Sequence, residues 1–209
     1  MSNTLLLPAM LPFVEQVSTQ VTQLSAPQRH RLQPLINYLQ RAGKTSPVDL
    51  VFICTHNSRR SHFGQVWAAV WAQYFGWSKV HTYSGGTEAT AVHPNALAAL
   101  QRAGLGIARQ ADTLNPVYAV AFSDDAPPAH CFSKVYHDAA NPQEGFCAIM
   151  TCSEADEACP AVIGAAQRIA LPYDDPKVAD GTPQEAARYD ERCLEIATDL
   201  YYVFQQAMP

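Results

Sequence analysis

The sequence lacks three features that would assign it at once to a class of protein. No apolar run is long enough to cross a bilayer, and the N-terminus has neither the basic segment nor the long apolar segment of an export signal. There is no surplus of positive charge, because 14 Lys and Arg stand against 19 Asp and Glu, a net charge of −5. We therefore expect a cytoplasmic protein with no membrane contact and no nucleic-acid partner.

Cysteine is too scarce for a disulfide framework. The 209 residues include 6 cysteines, at positions 54, 131, 147, 152, 159 and 193. In the cytoplasm these thiols are expected to be reduced, so any disulfide would be transient and catalytic. Cys131 lies between His130 and His137, but the spacing matches no zinc-binding pattern, and we expect no metal and no cofactor.

Residues 1–46 have the pattern of a helical extension. Two apolar stripes recur there at helical spacing, and the second begins at Ser25, a good N-cap residue, and ends at Gly43. Pro34 falls inside the second stripe and would kink or restart that helix. We interpret the stripes as two helices packed on the core. The alternative is a partner-binding or homodimer-forming pair.

From residue 47 to 209 strand and helix patterns alternate, which predicts an α/β domain with a doubly wound, four-stranded parallel sheet. The predicted strands are 48–53, 80–84, 146–150 and 168–171, and the predicted helices are 61–75, 94–103 and 183–205. Two further strands, 118–122 and 131–136, flank a segment rich in Asp and Pro. They predict a hairpin insertion over residues 118–137.

The most informative stretch joins the first strand to the helix that follows it. It is Cys54-Thr55-His56-Asn57-Ser58-Arg59-Arg60-Ser61. Backbone N–H groups in such a loop and the positive end of the helix dipole bind tetrahedral oxyanions. Arg60 is placed to clamp the same anion, and the same field stabilises a Cys54 thiolate as a nucleophile. The alternative, a buried cysteine and a surface arginine, is less favoured because the motif lies between an apolar strand and a helix.

Three further residues follow predicted strands and are expected at the same sheet edge: Ser84, Cys152 and Asp175. Asp175 precedes a proline, so it is either a general acid or a turn-forming residue, and Asp174 could share either role. Cys152 and Cys159 are either two sulfurs that relay oxidation by thiol–disulfide exchange or two independent small apolar residues.

Together these residues resemble the low-molecular-weight protein tyrosine phosphatase superfamily, and within it the thioredoxin-coupled arsenate reductases. The motif C-x5-R-S at Cys54–Ser61 is similar to the family's anion loop, and Ser84-Gly85-Gly86 to its second-strand segment. Tyr173-Asp174-Asp175-Pro176 is similar to its general-acid loop. The segment 151–160, with Cys152 and Cys159, resembles the redox pair of the arsenate reductases, which the plain phosphatases lack.

The resemblance implies a role for each of these residues. Cys54 would be the nucleophile and Arg60 the oxyanion clamp, with Asp175 as general acid. Residues 55–61 would bind the oxyanion, and Asn57, Ser61 and Ser84 would support the loop. Cys152 and Cys159 would pass the oxidation to thioredoxin.

Three functions follow from these expectations. The first is arsenate reduction through the three cysteines, and the second is hydrolysis of phosphomonoesters, which needs no second cysteine. The third is a non-enzymatic anion-binding regulator. Arg59 departs from the reductases, which often have a cysteine at that position, and we expect it to add positive charge at the mouth of the pocket. The N-terminal extension and the insertion also depart from the minimal family.

Overall fold

The computed structural model describes residues 5–44, 46–110, 112–158 and 161–208. Its strands are β1 (Val48–Cys54), β2 (Val80–Gly86), β3 (Gly106–Arg109), β4 (Tyr118–Ala121), β5 (Ala129–Cys131), β6 (Phe146–Met150) and β7 (Ala165–Ala170). Its α-helices are α1 (Leu11–Val21), α2 (Ala26–Ala42), α3 (Arg60–Tyr74), α4 (Pro94–Arg102), α5 (Ser153–Ala158) and α6 (Glu185–Gln206), with 3-10 turns at Pro8–Met10 and Pro176–Ala179.

A four-stranded parallel sheet in the order β2-β1-β6-β7 forms the centre of the α/β domain. β1 and β6 are buried on both faces, as their continuous apolar sequences require of inner parallel strands. The larger hydrophobic core, against Leu50 and Phe52, includes residues of α1, α2, α3 and α6, and the smaller one, against Val51 and Ile53, includes Ala155 of α5. The predicted fold class is confirmed.

The N-terminal helices pack on the domain. Ser25 caps α2 in a reciprocal capping box with Gln28, and Pro34 is accommodated inside one continuous helix rather than dividing it. Val17 and Leu35 are fully buried, and both helices contact α6. Because the apolar stripes are covered by the core, the interpretation as packed helices is confirmed.

The predicted hairpin is present but differs in its second strand. β4 pairs antiparallel with β5, which lies at Ala129–Cys131 rather than at the predicted 131–136. The sequence also gave no sign of β3, which pairs with β4 and makes a three-stranded antiparallel sheet. The hairpin strands are short and partly exposed, so their patterns lack the alternation that would fix their ends.

The remaining differences are at the ends of elements. The last strand begins three residues earlier than predicted, and the short helix α5 was not predicted. Among the helices of the described segments, none has the length and apolar character needed to cross a membrane.

Candidate active site

The loop after β1 holds its carbonyl oxygens outward. The carbonyls of residues 54–58 all accept hydrogen bonds of 2.8–3.2 Å from groups around the loop. The donors are Thr87, Glu88, Thr90, His93, Ser133 and His62. Within the described residues, the N–H groups of residues 55–60 donate no hydrogen bond. Those donors are therefore available to an oxyanion bound in the loop.

Asn57 and Ser61 fix the Cys54 sulfur inside this loop. The Asn57 amide nitrogen donates to Ser61 Oγ at 2.9 Å, so the Ser61 hydroxyl is free to donate to Cys54 Sγ at 3.1 Å. Asn57 Oδ1 in turn accepts from the backbone N–H of Lys134 at 2.9 Å. Asn57 has φ +45°, and it is the one non-glycine residue in the left-handed region among the described parts of the chain.

Ser84 supports the loop through His62 and does not contact the sulfur. A carbonyl can only accept, so His62 Nε2 carries the proton that it donates to Asn57 O at 2.8 Å. His62 Nδ1 then accepts from the Ser84 hydroxyl at 3.2 Å. Burial first, and then the positive charge of Lys134, lower the pKa of His62 to about 3, which keeps the ring neutral.

Gly86 allows β2 to approach the loop closely. A Cβ at this position would lie 2.7 Å from Thr55 O and 2.8 Å from Asn57 N. Any side chain at residue 86 would therefore displace the loop that binds the anion. This close approach explains the glycine that follows Ser84-Gly85.

Arg60 is the first residue of α3, and its guanidinium is held by hydrogen bonds to the loop after β7. Its Nη1 donates to Tyr173 O at 2.9 Å and its Nη2 to Asp175 Oδ2 at 2.7 Å. The Nε atom is buried and has no hydrogen-bond partner in the described chain. Because a buried donor is expensive to leave unpaired, the free donors of the guanidinium suit an oxyanion in the loop.

Asp175 is a turn-forming residue whose carboxyl also contacts Arg60, and its role as general acid stays a prediction. Its Oδ1 accepts from the N–H of Lys177 at 3.0 Å, as the cap of the turn Pro176–Ala179, and its Oδ2 accepts from Arg60. The carboxyl therefore lies at the anion site. Asp174 points away, because its side chain is 98% exposed and only approaches Arg192 at 3.7 Å.

Cys152 lies beside the anion loop. Its Sγ is 3.5 Å from Thr55 Oγ1 and accepts from the N–H of Ala155 at 3.4 Å. The residue is fully buried, in the same apolar cluster as Cys54. Burial raises the pKa of the Cys152 thiol, and the nearby Cys54 sulfur also raises it, while Thr55, Ala155 and Arg60 lower it.

Cys159, the third predicted relay residue, lies outside the described residues. The segment that leads to it, α5, stays close to the site, because Glu154 Oε2 lies 3.9 Å from Arg60 Nη1. Arg168 of β7 holds the same helix by donating to Asp156 O at 2.6 Å.

The chain is similar to curated arsenate reductases and to a solved phosphatase. The chain is 29% identical to the arsenate reductase of Halalkalibacterium halodurans over 137 residues, 65% of this chain and 79% of that protein. It is 28% identical to the arsenate reductase of Bacillus licheniformis over 144 residues, 68% of this chain and 84% of that protein. The solved low-molecular-weight protein tyrosine phosphatase of T. tengcongensis matches with a TM-score of 0.50 and 13% identity, over 76% of this chain and 98% of that one. No family model matches.

The chain resembles the low-molecular-weight protein tyrosine phosphatase superfamily in its fold and the arsenate reductases in its sequence. It is an enzyme. The solved phosphatase shows that the chain shares its fold, and the curated relatives carry the name arsenate reductase. The regulator without enzymatic activity is therefore set aside.

Arg59 forms an ion-pair cluster at the rim of the loop. Its Nη2 donates to Asp180 Oδ2 at 3.0 Å, and its Nε donates to the Tyr189 hydroxyl at 2.7 Å. Tyr189 in turn donates to Asp180 Oδ1 at 2.8 Å and stacks on His93. The positive charge expected at the pocket mouth is thus paired with Asp180, and Arg59 joins the loop to the turn that follows Asp175.

Three contributors to the site were missed by reasoning from sequence. His62 reads as an ordinary residue of α3, yet it joins Ser84 to the loop. Lys134 contributes its backbone N–H and Tyr173 its carbonyl, so no side-chain pattern marks either contact. For His62 a signal was available, since it lies two residues after Arg60, in the first turn of the helix that follows the loop.

Proposed function

We propose that this enzyme reduces arsenate to arsenite through a cysteine thiolate and a three-cysteine disulfide relay that thioredoxin reduces. The observation that supports it is the position of Cys152, which is in contact with Thr55 of the anion loop. A phosphatase needs no second cysteine there. The relatives named arsenate reductase agree with this choice.

The first step is attack on the bound oxyanion. The residue 55–60 N–H groups and Arg60 bind arsenate, and the Cys54 thiolate forms a bond to arsenic as one oxygen leaves as water. Asp175 supplies a proton to that oxygen from its place beside Arg60. The Ser61 hydroxyl, 3.1 Å from Cys54 Sγ, stabilises the thiolate before attack.

The second step transfers two electrons to arsenic. The Cys152 thiolate attacks Cys54 Sγ, a Cys54–Cys152 disulfide forms, and the electron pair of the broken S–As bond stays on arsenic, which leaves as arsenite. Cys159 then attacks Cys152, which frees the Cys54 thiolate. The Cys152–Cys159 disulfide is reduced by the dithiol of thioredoxin, in the reducing cytoplasm where these thiols persist.

The second candidate is hydrolysis of phosphomonoesters such as phosphotyrosine. It is favoured by the arrangement of Arg60 and Asp175, which suits protonation of a leaving phenolate. Here the Cys54 thiolate would attack phosphorus and form a phosphocysteine, and Asp175 would then activate water. Both reactions use one pocket, so weak phosphatase activity is expected in an arsenate reductase.

The deciding experiment measures arsenate-dependent NADPH oxidation in the presence of thioredoxin and thioredoxin reductase. Wild type should turn over many times, Cys152→Ser should produce no arsenite, and Cys159→Ser should release one arsenite per enzyme and stop. The matched control is Cys147→Ser, a buried cysteine of β6. Hydrolysis of p-nitrophenyl phosphate is followed in parallel and should survive Cys152→Ser but not Cys54→Ser.

Two results would contradict the proposal. Multiple arsenate turnovers by Cys152→Ser would rule out the relay. Strong hydrolysis by wild type with no arsenate turnover would assign the phosphatase function instead.

A further inference from the structure

Arg31 of α2 is the residue of the N-terminal extension that reaches towards the candidate active site. Its Nη1 donates to Pro172 O at 2.9 Å, and its guanidinium carbon lies 5.0 Å from the centre of the Tyr173 ring. Its Nη2 pairs with Asp199 Oδ2 at 2.5 Å. One side chain therefore joins the extension to α6 and to the loop after β7.

The residues that Arg31 holds are next to those that hold Arg60. Tyr173 O accepts from Arg60 Nη1, and Asp175, two residues further on, accepts from Arg60 Nη2. The segment 172–175 is thus bound by Arg31 on one side and by Arg60 on the other. A shift of Pro172 would move both acceptors of the Arg60 guanidinium.

The Asp199 carboxylate fixes the position of the Arg31 guanidinium. Its carboxyl is fully buried in α6, and burial raises its pKa while the Arg31 charge lowers it. A buried carboxylate needs a paired cation, so Asp199 fixes where the Arg31 guanidinium lies. The planar guanidinium can then hold the Asp199 carboxylate and the Pro172 carbonyl at the same time.

We propose that Arg31 is a positioning residue for the reaction, which holds the segment 172–175 so that Asp175 and the Arg60 guanidinium face the bound oxyanion. The N-terminal extension is then part of the support of the active site. This inference rests on the proposed function, because it assigns Arg60 and Asp175 to chemistry on an oxyanion.

The test uses Arg31→Ala in the full chain and two aryl phosphates. Phenyl phosphate has a poor leaving group and needs the general acid, whereas p-nitrophenyl phosphate has a good one and needs it less. We expect kcat for phenyl phosphate to fall about tenfold more than kcat for p-nitrophenyl phosphate, since a general acid contributes on the order of a hundredfold or more. Arg31→Lys should restore part of this ratio.

Two further variants separate positioning from loosened packing. Arg29→Ala removes another arginine of α2, whose guanidinium lies over the Tyr202 ring at 5.8 Å and not on the segment 172–175. It should keep the wild-type ratio of the two substrates, even where the melting temperature falls. Asp199→Asn removes the carboxylate that fixes the Arg31 guanidinium, so it should change the ratio in the same direction as Arg31→Ala.

Binding of inorganic phosphate gives a second readout that needs no turnover. Phosphate bound in the loop should protect Cys54 from alkylation by iodoacetate, and intact mass measures the protection. Arg31→Ala should raise the Kd for phosphate about fivefold, the effect of about one hydrogen bond. If wild type hydrolyses neither ester, the phosphatase reaction fails as a readout and this measurement decides for Arg31. An unchanged substrate ratio in Arg31→Ala overturns the inference, as does an unchanged Kd where neither ester is hydrolysed. It is overturned equally if Arg29→Ala reproduces the change.

Discussion

Replacing Asn57 by alanine tests how the anion loop is held in its shape. Asn57 is fully buried and has φ +45°, a conformation that asparagine tolerates better than alanine. Its side chain makes two hydrogen bonds of 2.9 Å, one to the Ser61 hydroxyl and one from the Lys134 N–H. We expect Asn57→Ala to destabilise the fold and to weaken oxyanion binding together.

The magnitude follows from these two contributions. Loss of two buried hydrogen bonds costs about 2 kcal/mol, and the Lys134 N–H left without a partner raises that to about 3 kcal/mol. Placing alanine in the left-handed region adds about 1 kcal/mol. Asn57→Gly loses the same hydrogen bonds without the backbone strain, so it should be less destabilised than Asn57→Ala by about 1 kcal/mol.

Urea unfolding followed by tryptophan fluorescence measures the free energy of unfolding of both variants, since the chain has 3 Trp. The expected order of stability is wild type, then Asn57→Gly, then Asn57→Ala, with equal m-values. The rise in melting temperature on adding phosphate should shrink in both variants. If alanine and glycine destabilise equally, the strain argument is wrong. If alanine lies within about 0.5 kcal/mol of wild type, the side-chain network does not hold the loop.

Three further predictions concern the surroundings of the loop. Burial lowers the pKa of His62 to about 3 in the fold, so only the unfolded chain takes up this proton, and the free energy of unfolding falls as the pH falls below about 6.5. Between pH 6.5 and 5, wild type should lose about 2 kcal/mol more of this free energy than His62→Gln, measured by urea unfolding. Equal losses in the two proteins would contradict the buried neutral ring. Gly86→Ala should abolish phosphate protection of the loop, whereas Gly106→Ala, whose Cβ would meet Ala121 at 3.5 Å, should keep it. Burial raises the pKa of the Cys131 and Cys193 thiols to about 12, so iodoacetamide at pH 8 should leave both unlabelled in peptide mapping, and labelling of either at the rate of the loop cysteine would refute it.

The central sheet could be predicted because its strands are strongly patterned. The strand 146–150 was predicted with the bounds that the structure gives, since five consecutive apolar residues are typical of a parallel strand buried on both faces. The capping of α2 by Ser25 was equally direct, because the residues that cap a helix are local in sequence. In both cases the residues that form the pattern in the sequence are also the residues whose contacts form the element.

The parts that escaped prediction depend on contacts distant in sequence. The hairpin ends are set by pairing of β4 with both β3 and β5, and short, half-exposed strands carry little pattern of their own. The contact of Arg31 with Pro172 spans 141 positions and ends on a backbone carbonyl, which no residue type marks. The loop motif identified the oxyanion site, but the residues that hold it in place are visible only in the structure.

In the proposed cycle the charge on one sulfur controls the reactivity of the next. The negative charge of the Cys54 thiolate helps to raise the pKa of Cys152, after burial as the larger cause, so Cys152 is held as a thiol while Cys54 is free. When Cys54 bonds to arsenic that charge leaves the sulfur, and Thr55, Ala155 and Arg60 still favour a Cys152 thiolate. The loss of that charge lowers the pKa of Cys152 and so favours its attack on Cys54 in the second step, while burial, the larger cause, continues to raise the pKa.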